Sequence, residues 1–364
     1  VAVRKLADGK WQARWRDENG VQRAQRFRTR AEAQDHLVTV QADKRRGLTT
    51  RDAAMTVAEL ADAWLNSAMN LSSGSRMTYR RDLDRYIFPR FGSVQIGKVT
   101  ALAIEQWIKG ELDRLAPSSV HRHYRTLRTM FGFAVKRELL IKNPCAAVTA
   151  PRVPRTDMRI FTVEQIEAIA DVIAPRYRCF VLLAAYGGLR LSELVGLRRM
   201  DVNGNQVTVA GQLLLVEGKW ERTAAKTIAG HRTITVSTTV AEELAVHLDT
   251  YTGPEPDDLV FTNQQGRPVG PSFRQNVWAP ACAKVGLGSR TIKNHKPAFS
   301  GIPRFHDLRH TAASLAIAAG AHPKTIQQRL GHSSIVVTMD RYGHLMAGVD
   351  QQLADDLDRM RRQK

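Results

Sequence analysis

Tyr186-Gly187-Gly188-Leu189-Arg190-Leu191-Ser192-Glu193-Leu194 sets an arginine directly behind a Gly-Gly break. Glycine lets the backbone turn sharply there, so the Arg190 guanidinium is presented at a helix start. Taken alone, the segment is equally an ordinary helix cap with an exposed Arg. The surroundings are mixed. An apolar helix covers about Arg178 to Tyr186, another starts at Phe161-Thr162-Val163-Glu164-Gln165, Gln206 to Val216 and Arg232 to Val236 read as strands, and beyond Pro271 the pattern is helical again. This predicts a mainly helical domain with a small antiparallel sheet. It is preceded by Ala150-Pro151-Arg152-Val153-Pro154-Arg155, whose Pro and Arg content suits an extended linker.

Two further regions lie on the N-terminal side. Helical stretches over about Ser75 to Ile87, Ala101 to Leu115 and Ser118 to Leu139, with a possible capping box at Thr56-Val57-Ala58-Glu59, predict an all-α domain ending near Asn143-Pro144. Arg76, Arg80, Arg81, Arg85, Arg122, Arg125 and Arg128 recur there at helical spacing and suit phosphate tracking, although an Arg run is usually a solvated face. Residues 1 to about 50 hold twelve Lys or Arg against six Asp or Glu. Alternation on both sides of Glu18-Asn19-Gly20 predicts a hairpin, followed by a helix from Arg30 through Lys44 that ends at Gly47. The bland reading is a ββα unit with a solvated basic face; the sharper one lays a sheet carrying Trp11, Arg14, Arg16, Arg23, Arg26 and Arg28 into a DNA groove.

The composition supports a polyanion partner. In 364 residues the formal net charge is +19 while 43% are hydrophobic, which excludes a disordered basic tail and leaves a folded, strongly basic protein. No run approaches the ~18 apolar residues of a spanning helix, and the N-terminal VAVRKLADGKW offers no signal peptide, so a cytosolic protein with no membrane partner is expected. Cys145, Cys179 and Cys282 are too widely spaced for a zinc ribbon or a disulfide framework. Val349, Leu353, Leu357 and Met360 form one apolar stripe, predicting a terminal amphipathic helix that needs a partner surface.

Four features of the last domain suit a phosphodiester. Arg190 is the first. Lys226, in Ala225-Lys226-Thr227 between the predicted strands, is the second, though a hairpin Lys by itself is usually mere surface. In His306-Asp307-Leu308-Arg309-His310, His306 and Arg309 would share one helical face. Last, Leu330-Gly331-His332-Ser333-Ser334 places His332 ten positions before the Tyr of Asp340-Arg341-Tyr342-Gly343-His344. His306 and His310 lack the HExxH glutamate, and the Arg between them would repel a cation, so no metal site is expected; no GxxxxGK[ST] loop implies ATP. No cofactor is expected.

Together these residues resemble the tyrosine recombinase, or phage-integrase, family. The resemblance spans the whole chain: 1–50 looks like an arm-type DNA-binding domain of sheet and helix, 55–145 like the helical core-binding domain, and 155–364 like the catalytic domain of a multidomain α+β protein. By motif match, Arg190, Lys226, His306, Arg309, His332 and Tyr342 take the six catalytic positions, with Tyr342 the nucleophile. Glu193 matches a supporting acid and His310 a frequent His of structural role. Paired Arg forks suit the charge that develops on non-bridging phosphate oxygens, His306 would take the phenolic proton and Lys226 would protonate the leaving 5′ oxygen.

The resemblance implies a 3′-phosphotyrosine intermediate on double-stranded DNA, with core and arm-type attachment sites, and a homotetramer exchanging strands to integrate and excise phage or mobile-element DNA. It leaves room for a host DNA-bending protein and an excision-promoting factor. Three other readings fit part of the sequence: a type IB topoisomerase-like nicking-resealing enzyme, a non-catalytic DNA-binding regulator, and a metal-dependent nuclease.

Overall fold

At the N-terminus every second residue of Trp11–Arg16 is apolar, the period of a half-buried strand. In the computed structural model, β1 (Ala2–Lys5), β2 (Trp11–Arg16) and β3 (Gln22–Phe27) form one antiparallel sheet in that order. The sequence had announced only the hairpin of β2 and β3. The described residues are 2–16, 22–45, 55–69, 71–154, 158–224, 228–293, 295–343 and 358–362, with the backbone alone for 42–45 and 228. The expected Asn-Gly turn, the Gly47 cap, Lys226 and most of the Val349–Met360 stripe lie outside them.

The chain divides into two units, Val1–Arg155 and Thr156–Lys364. In the first, Trp11, Ala13, Trp15 and Phe27 pack against Ala33 and Leu37 of α1 (Arg30–Arg45). Strand register puts Arg14, Arg16 and Arg26 on the opposite face, whereas Arg23, paired with Trp15, lies on the helix side. Arg28 is exposed just beyond β3.

The helical part of this unit comprises α2 (Val57–Ser67), α3 (Ser73–Asp82), α4 (Phe88–Phe91), α5 (Ala101–Leu112) and α6 (Pro117–Lys136), with a π-turn at Leu83–Ile87 joining α3 to α4. The Thr56 and Glu59 side chains cap α2 reciprocally, and Pro117 starts α6, where its missing N–H leaves no helical bond unmade. Leu60, Leu83, Ile104, Leu127 and Phe131 form the core.

The outer arginines divide. Arg81, Arg125 and Arg128 are exposed, Arg80 pairs with Asp62 and Asp84, and Arg122 pairs with the buried Asp82. Arg76 is not part of a solvated face: it donates to the carbonyls of Leu65 and Ala68 and so satisfies the C-terminal end of α2.

The second unit packs α7 (Val163–Val172), capped reciprocally by Thr162 and Gln165, against the buried α8 (Arg178–Gly187). After α9 (Leu191–Val195) come β4 (Val202–Asn203), β5 (Gln206–Val209), β6 (Gly211–Val216), β7 (Lys219–Ala224) and β8 (Arg232–Thr235). The single strand expected over Gln206–Val216 is therefore two. β5 lies between β4 and β8, while β6 pairs only with β7. Gly211 makes the transfer possible: a Cβ there would sit 2.6 Å from the Thr223 carbonyl oxygen.

Helices α10 (Thr238–Tyr251) and α11 (Ala279–Lys284) follow, then a hairpin of β9 (Ser289–Lys293) and β10 (Lys296–Ser300). The sequence pattern beyond Pro271 had suggested helix alone. Its alternation spans only five residues per strand and includes Pro297, too short a signal to separate from loop. α12 (Asp307–Ala318), α13 (Pro323–Leu330) and α14 (Ile335–Tyr342) complete the unit. Among the described residues, four small antiparallel sheets and a helical majority thus make a multidomain mixed fold. Among the described residues no helix is long and apolar enough to cross a membrane. All three cysteines are buried and unpaired.

Candidate active site

Gly188 ends α8 in the left-handed conformation, φ +72°, and the chain re-enters a helix three residues later with Arg190 as the N-cap of α9. That turn does what the Gly-Gly break required: it releases one helix and aims a guanidinium at the start of the next. The Arg190 backbone N–H donates to Glu193 Oε2 at 2.8 Å, and its Nη1 donates to Glu193 Oε1 at 2.7 Å. Its Nη2 donates to the Gly331 carbonyl at 3.3 Å.

Arg309 approaches the same turn from α12. It is only 3% exposed, and its guanidinium donates to the carbonyls of Gly188 and Leu330. Arg190 and Arg309 therefore grip adjacent carbonyls of the α13 C-terminus. Burial, with the charge of Arg190, pulls the Arg309 pKa down to about 9, which leaves it a cation at neutral pH.

Glu193 is the counter-charge. It is buried between Arg190 and Arg232, whose Nη2 lies 2.9 Å from Oε2. Burial alone would raise its pKa, but the Arg232 hydrogen bond and charge, joined by Arg190, hold it below the ordinary carboxylate value. Arg232 also donates to the carbonyls of Arg329 and Gly230. It was not among the residues singled out from sequence; an Arg at a strand start carries no signal until the fold sets it against Glu193.

His332 follows Gly331, buried, with Nδ1 2.9 Å from Thr338 Oγ1. Burial and the charges of Arg309 and Arg190 push its pKa down to about 4. Arg190, Glu193, Gly211, Gly331, His332 and Ser333 are among the walls of an open cavity of about 340 Å³.

Tyr342 is not one of the walls of that cavity. It is 1% exposed, packs with Ala313, Ile326 and Leu330, and its hydroxyl is hydrogen-bonded to His310 Nδ1 at 2.7 Å. Burial raises the phenol's pKa, against a partial pull from Arg309 and Arg341. Burial first, then the neighbouring His306, pushes His310 down to about 4. The phenol is thus protonated and parked at neutral pH. His310 does more than the supporting part expected of it, since it is the group that holds the tyrosine.

His306 is the N-cap of α12 with αR backbone, and its carbonyl accepts from the Arg309 N–H at 3.1 Å, so it stands one turn before Arg309, exposed where Arg309 is buried. Its ring stands edge-on to His310 with centroids 5.3 Å apart. Partial withdrawal from water, then the cations Arg309 and Arg304, lower its pKa, leaving a neutral imidazole that lines, with Arg190, a neighbouring cavity. Asp307 fixes this start by accepting from the Arg304 backbone N–H at 2.8 Å. Lys226 lies outside the described residues, between the end of β7 and the 3-10 turn Ile228–Gly230. Among the described residues no group of three His, Cys, Asp or Glu side chains is placed to hold a metal ion.

Residues 159–348 match the phage integrase family and residues 57–150 the phage integrase central domain. The chain is 28% identical over 313 residues to the integrase of Mycobacterium phage L5, covering 84% of this chain and 80% of that one. It is 27% identical over 282 residues to the tyrosine recombinase XerC of Myxococcus xanthus, covering 75% and 87%. Its fold is similar to the Tn1549 transposon integrase in complex with circular intermediate DNA, at TM-score 0.69, 21% identity and coverage of 83% and 100%. It is also similar to a lambda integrase tetramer bound to a Holliday junction, at TM-score 0.57, 17% identity and coverage of 91% and 95%. With the matched family spanning more than half its length, the chain belongs to the phage integrase family and is a tyrosine-type site-specific recombinase.

Proposed function

We propose that this enzyme cleaves and rejoins DNA strands through a covalent 3′-phosphotyrosine on Tyr342, integrating and excising phage or mobile-element DNA. The observation that carries the reading is the meeting of Arg190 and Arg309 on the carbonyls of Gly331 and Leu330, beside His332 and one helix away from Tyr342. Two fixed guanidinium groups can neutralise the non-bridging oxygens of a phosphorane, with no solvent reorganisation at the moment of reaction.

For reaction the phenol leaves His310 and enters the cavity. Its oxygen attacks phosphorus, the P–O5′ bond breaks, the phenolic proton passes to neutral His306 and Lys226 supplies the proton to the departing 5′ oxygen. Glu193 holds Arg190 in place, and His332 donates to a phosphate oxygen. Because the tyrosyl ester retains the phosphodiester's energy, rejoining needs neither ATP nor a metal.

A three-part organisation would suit an enzyme that works on two classes of DNA site. Residues 1–50 would bind arm-type sites through Arg14, Arg16, Arg26 and Arg28, with Arg23 at the sheet edge. Residues 55–145 would track core-site phosphates through Arg80, Arg81, Arg122, Arg125 and Arg128, and 155–364 would carry the chemistry. The lambda integrase tetramer bound to a Holliday junction supports a homotetramer acting on DNA; such DNA would be met in the host cytoplasm. A host bending protein and an excision factor fit the same scheme.

The test is incubation with nicked suicide duplexes drawn from a library of candidate attachment sequences, with chelator present, followed by a denaturing gel. Wild type is expected to form a protein–DNA adduct and Tyr342→Phe none. An adduct in both, or cleavage only when a metal ion is supplied, overturns the reading. Joining of paired sites, rather than relaxation alone, separates a recombinase from a topoisomerase-like enzyme.

A further inference from the structure

The hairpin β9–β10 is placed immediately before His306 and Arg309, yet none of the assigned residues lies on it. Over residues 286–305 the sequence has four Lys or Arg and no Asp or Glu. Nearly every residue of the two strands is exposed. A two-stranded ribbon is marginal in water unless something packs on it, and here only one face is supported. The face with Arg290, Pro297 and Phe299 turns toward Pro280, Ala283 and Lys284 of α11 across a groove of about 850 Å³, whose outer end Lys296 also lines from the hairpin tip.

The other face has a different composition. Register places Lys293 opposite Lys296, Thr291 opposite Ala298 and Ser289 opposite Ser300, all on one side by the two-residue period of a strand. Two ammonium groups at the tip and hydroxyls along the flanks are side chains that bond phosphate and sugar oxygens, and a two-stranded ribbon is an element that duplex grooves admit. Apart from Ala298, this face has no apolar residue to offer a protein partner. The one strongly exposed hydrophobic, Ile292 at 76%, lies on the opposite side.

The hairpin base is fixed to the catalytic core. Gly288 and Gly301 both take positive φ and lie so close that a Cβ on Gly288 would meet the Ile302 side chain at 2.5 Å and the Ser300 carbonyl at 2.8 Å. Arg159 Nη1 donates to the Gly301 carbonyl at 2.9 Å, and Trp278 Nε1 to the Pro303 carbonyl at 2.8 Å. Phe305 stacks on Phe180 with centroids 5.0 Å apart, and His306 follows. Whatever the ribbon holds is thereby registered against the pocket.

We propose that the Ser289–Ser300 ribbon is a sequence-independent DNA-binding finger, with Lys293 and Lys296 each bonded to a backbone phosphate of the duplex beyond the cleaved position. Five strand residues at about 3.4 Å each reach about 17 Å, or about five nucleotide steps of a strand. This rests on the DNA-recombining role proposed above and adds a contact to it.

The test uses the full chain and fluorescence anisotropy with a labelled 40-base-pair duplex of random sequence, titrated between 50 and 200 mM NaCl. Each phosphate contact contributes about 0.9 to the slope of log affinity against log salt. Lys293→Gln/Lys296→Gln is expected to reduce that slope by about 2 and affinity by about ten-fold at low salt, alike on unrelated sequences. Lys293→Arg/Lys296→Arg is expected to keep the wild-type slope. An unchanged slope in the Gln variant overturns the finger, including where strand joining is lost without a change in binding, which would assign the ribbon to a protein partner. Absence of salt-dependent binding in the wild type would instead remove the DNA-acting role itself.

Discussion

The Tyr342 hydroxyl lies 2.7 Å from His310 Nδ1, with both side chains buried. The nucleophile is therefore held by a hydrogen bond at a place where burial keeps it protonated. Removing that hydroxyl leaves the ring packing of Ala313, Ile326 and Leu330 intact but strands a buried imidazole nitrogen. Tyr342→Phe is expected to lose about 1–3 kcal/mol of stability in urea unfolding while losing all covalent adduct. A Phe variant as stable as wild type would show that the His310 contact contributes nothing to the resting position.

His310 and His332 give the enzyme an acid limit. Both have folded-state pKa values pushed from 6.5 to about 4 by burial, with cationic or imidazole neighbours adding to it. The unfolded chain therefore binds more protons than the folded one between those values. Stability is complete above about pH 6.5, falls as pH drops toward 4, and levels off below it, by roughly 3 kcal/mol per histidine. Urea unfolding at half-unit intervals from pH 7.5 to 4 measures this. His310→Gln and His332→Gln are each expected to flatten part of the slope, and an unaltered slope in both would assign the acid loss to other groups.

Local signals were legible in the sequence because they depend on neighbours a few residues away. Thr56 with Glu59, Pro117 at a helix start, and the Gly187-Gly188 break before Arg190 each state their structure within one turn of chain. The motif residues could be named through the family resemblance, and the fold sets Arg190, Arg309 and His332 around one turn. What remained hidden depends on partners far away in sequence. Arg232 matters because Glu193 is its partner, Gly211 begins β6 where the Thr223 carbonyl leaves no room for a Cβ, and His310 holds a hydroxyl from α14. Arg76 shows the reverse error: helical spacing suggested a phosphate contact, but two backbone carbonyls use its donors.

Glu193 neutralises two guanidinium groups at once, one lining the cavity and one buried behind it. Glu193→Gln preserves shape but leaves Arg232 without a counter-charge, and one-sided removal of a buried pair costs about 3–5 kcal/mol. Arg190 would also lose the carboxylate that fixes its fork. The expected result is a lower melting temperature and adduct formation slower by about ten- to hundred-fold, with DNA affinity within about two-fold of wild type because phosphate binding elsewhere is untouched. Adduct formation at the wild-type rate would show that Arg190 is positioned without Glu193. Arg232→Lys should reproduce most of the loss, since an ammonium group cannot reach both carboxylate oxygens and the Arg329 carbonyl from one plane.

Gly331 sets the turn on which the arginines converge. Its φ is +63°, a region costly for residues with a Cβ, and a Cβ there would approach Arg232 Nη1 at 2.8 Å and the Ala229 carbonyl at 2.9 Å. The carbonyl oxygen is a rigid neighbour, so the turn itself must move. Any such movement displaces the Gly331 and Leu330 carbonyls that hold Arg190 and Arg309. Gly331→Ala is therefore expected to destabilise by about 1–3 kcal/mol and to slow adduct formation by about ten-fold or more at a temperature where the variant is still fully folded. Gln328→Ala, three residues before and exposed, is the control and should leave both unchanged. If Gly331→Ala unfolds earlier but reacts at the wild-type rate, the turn supports the fold without positioning the arginine pair.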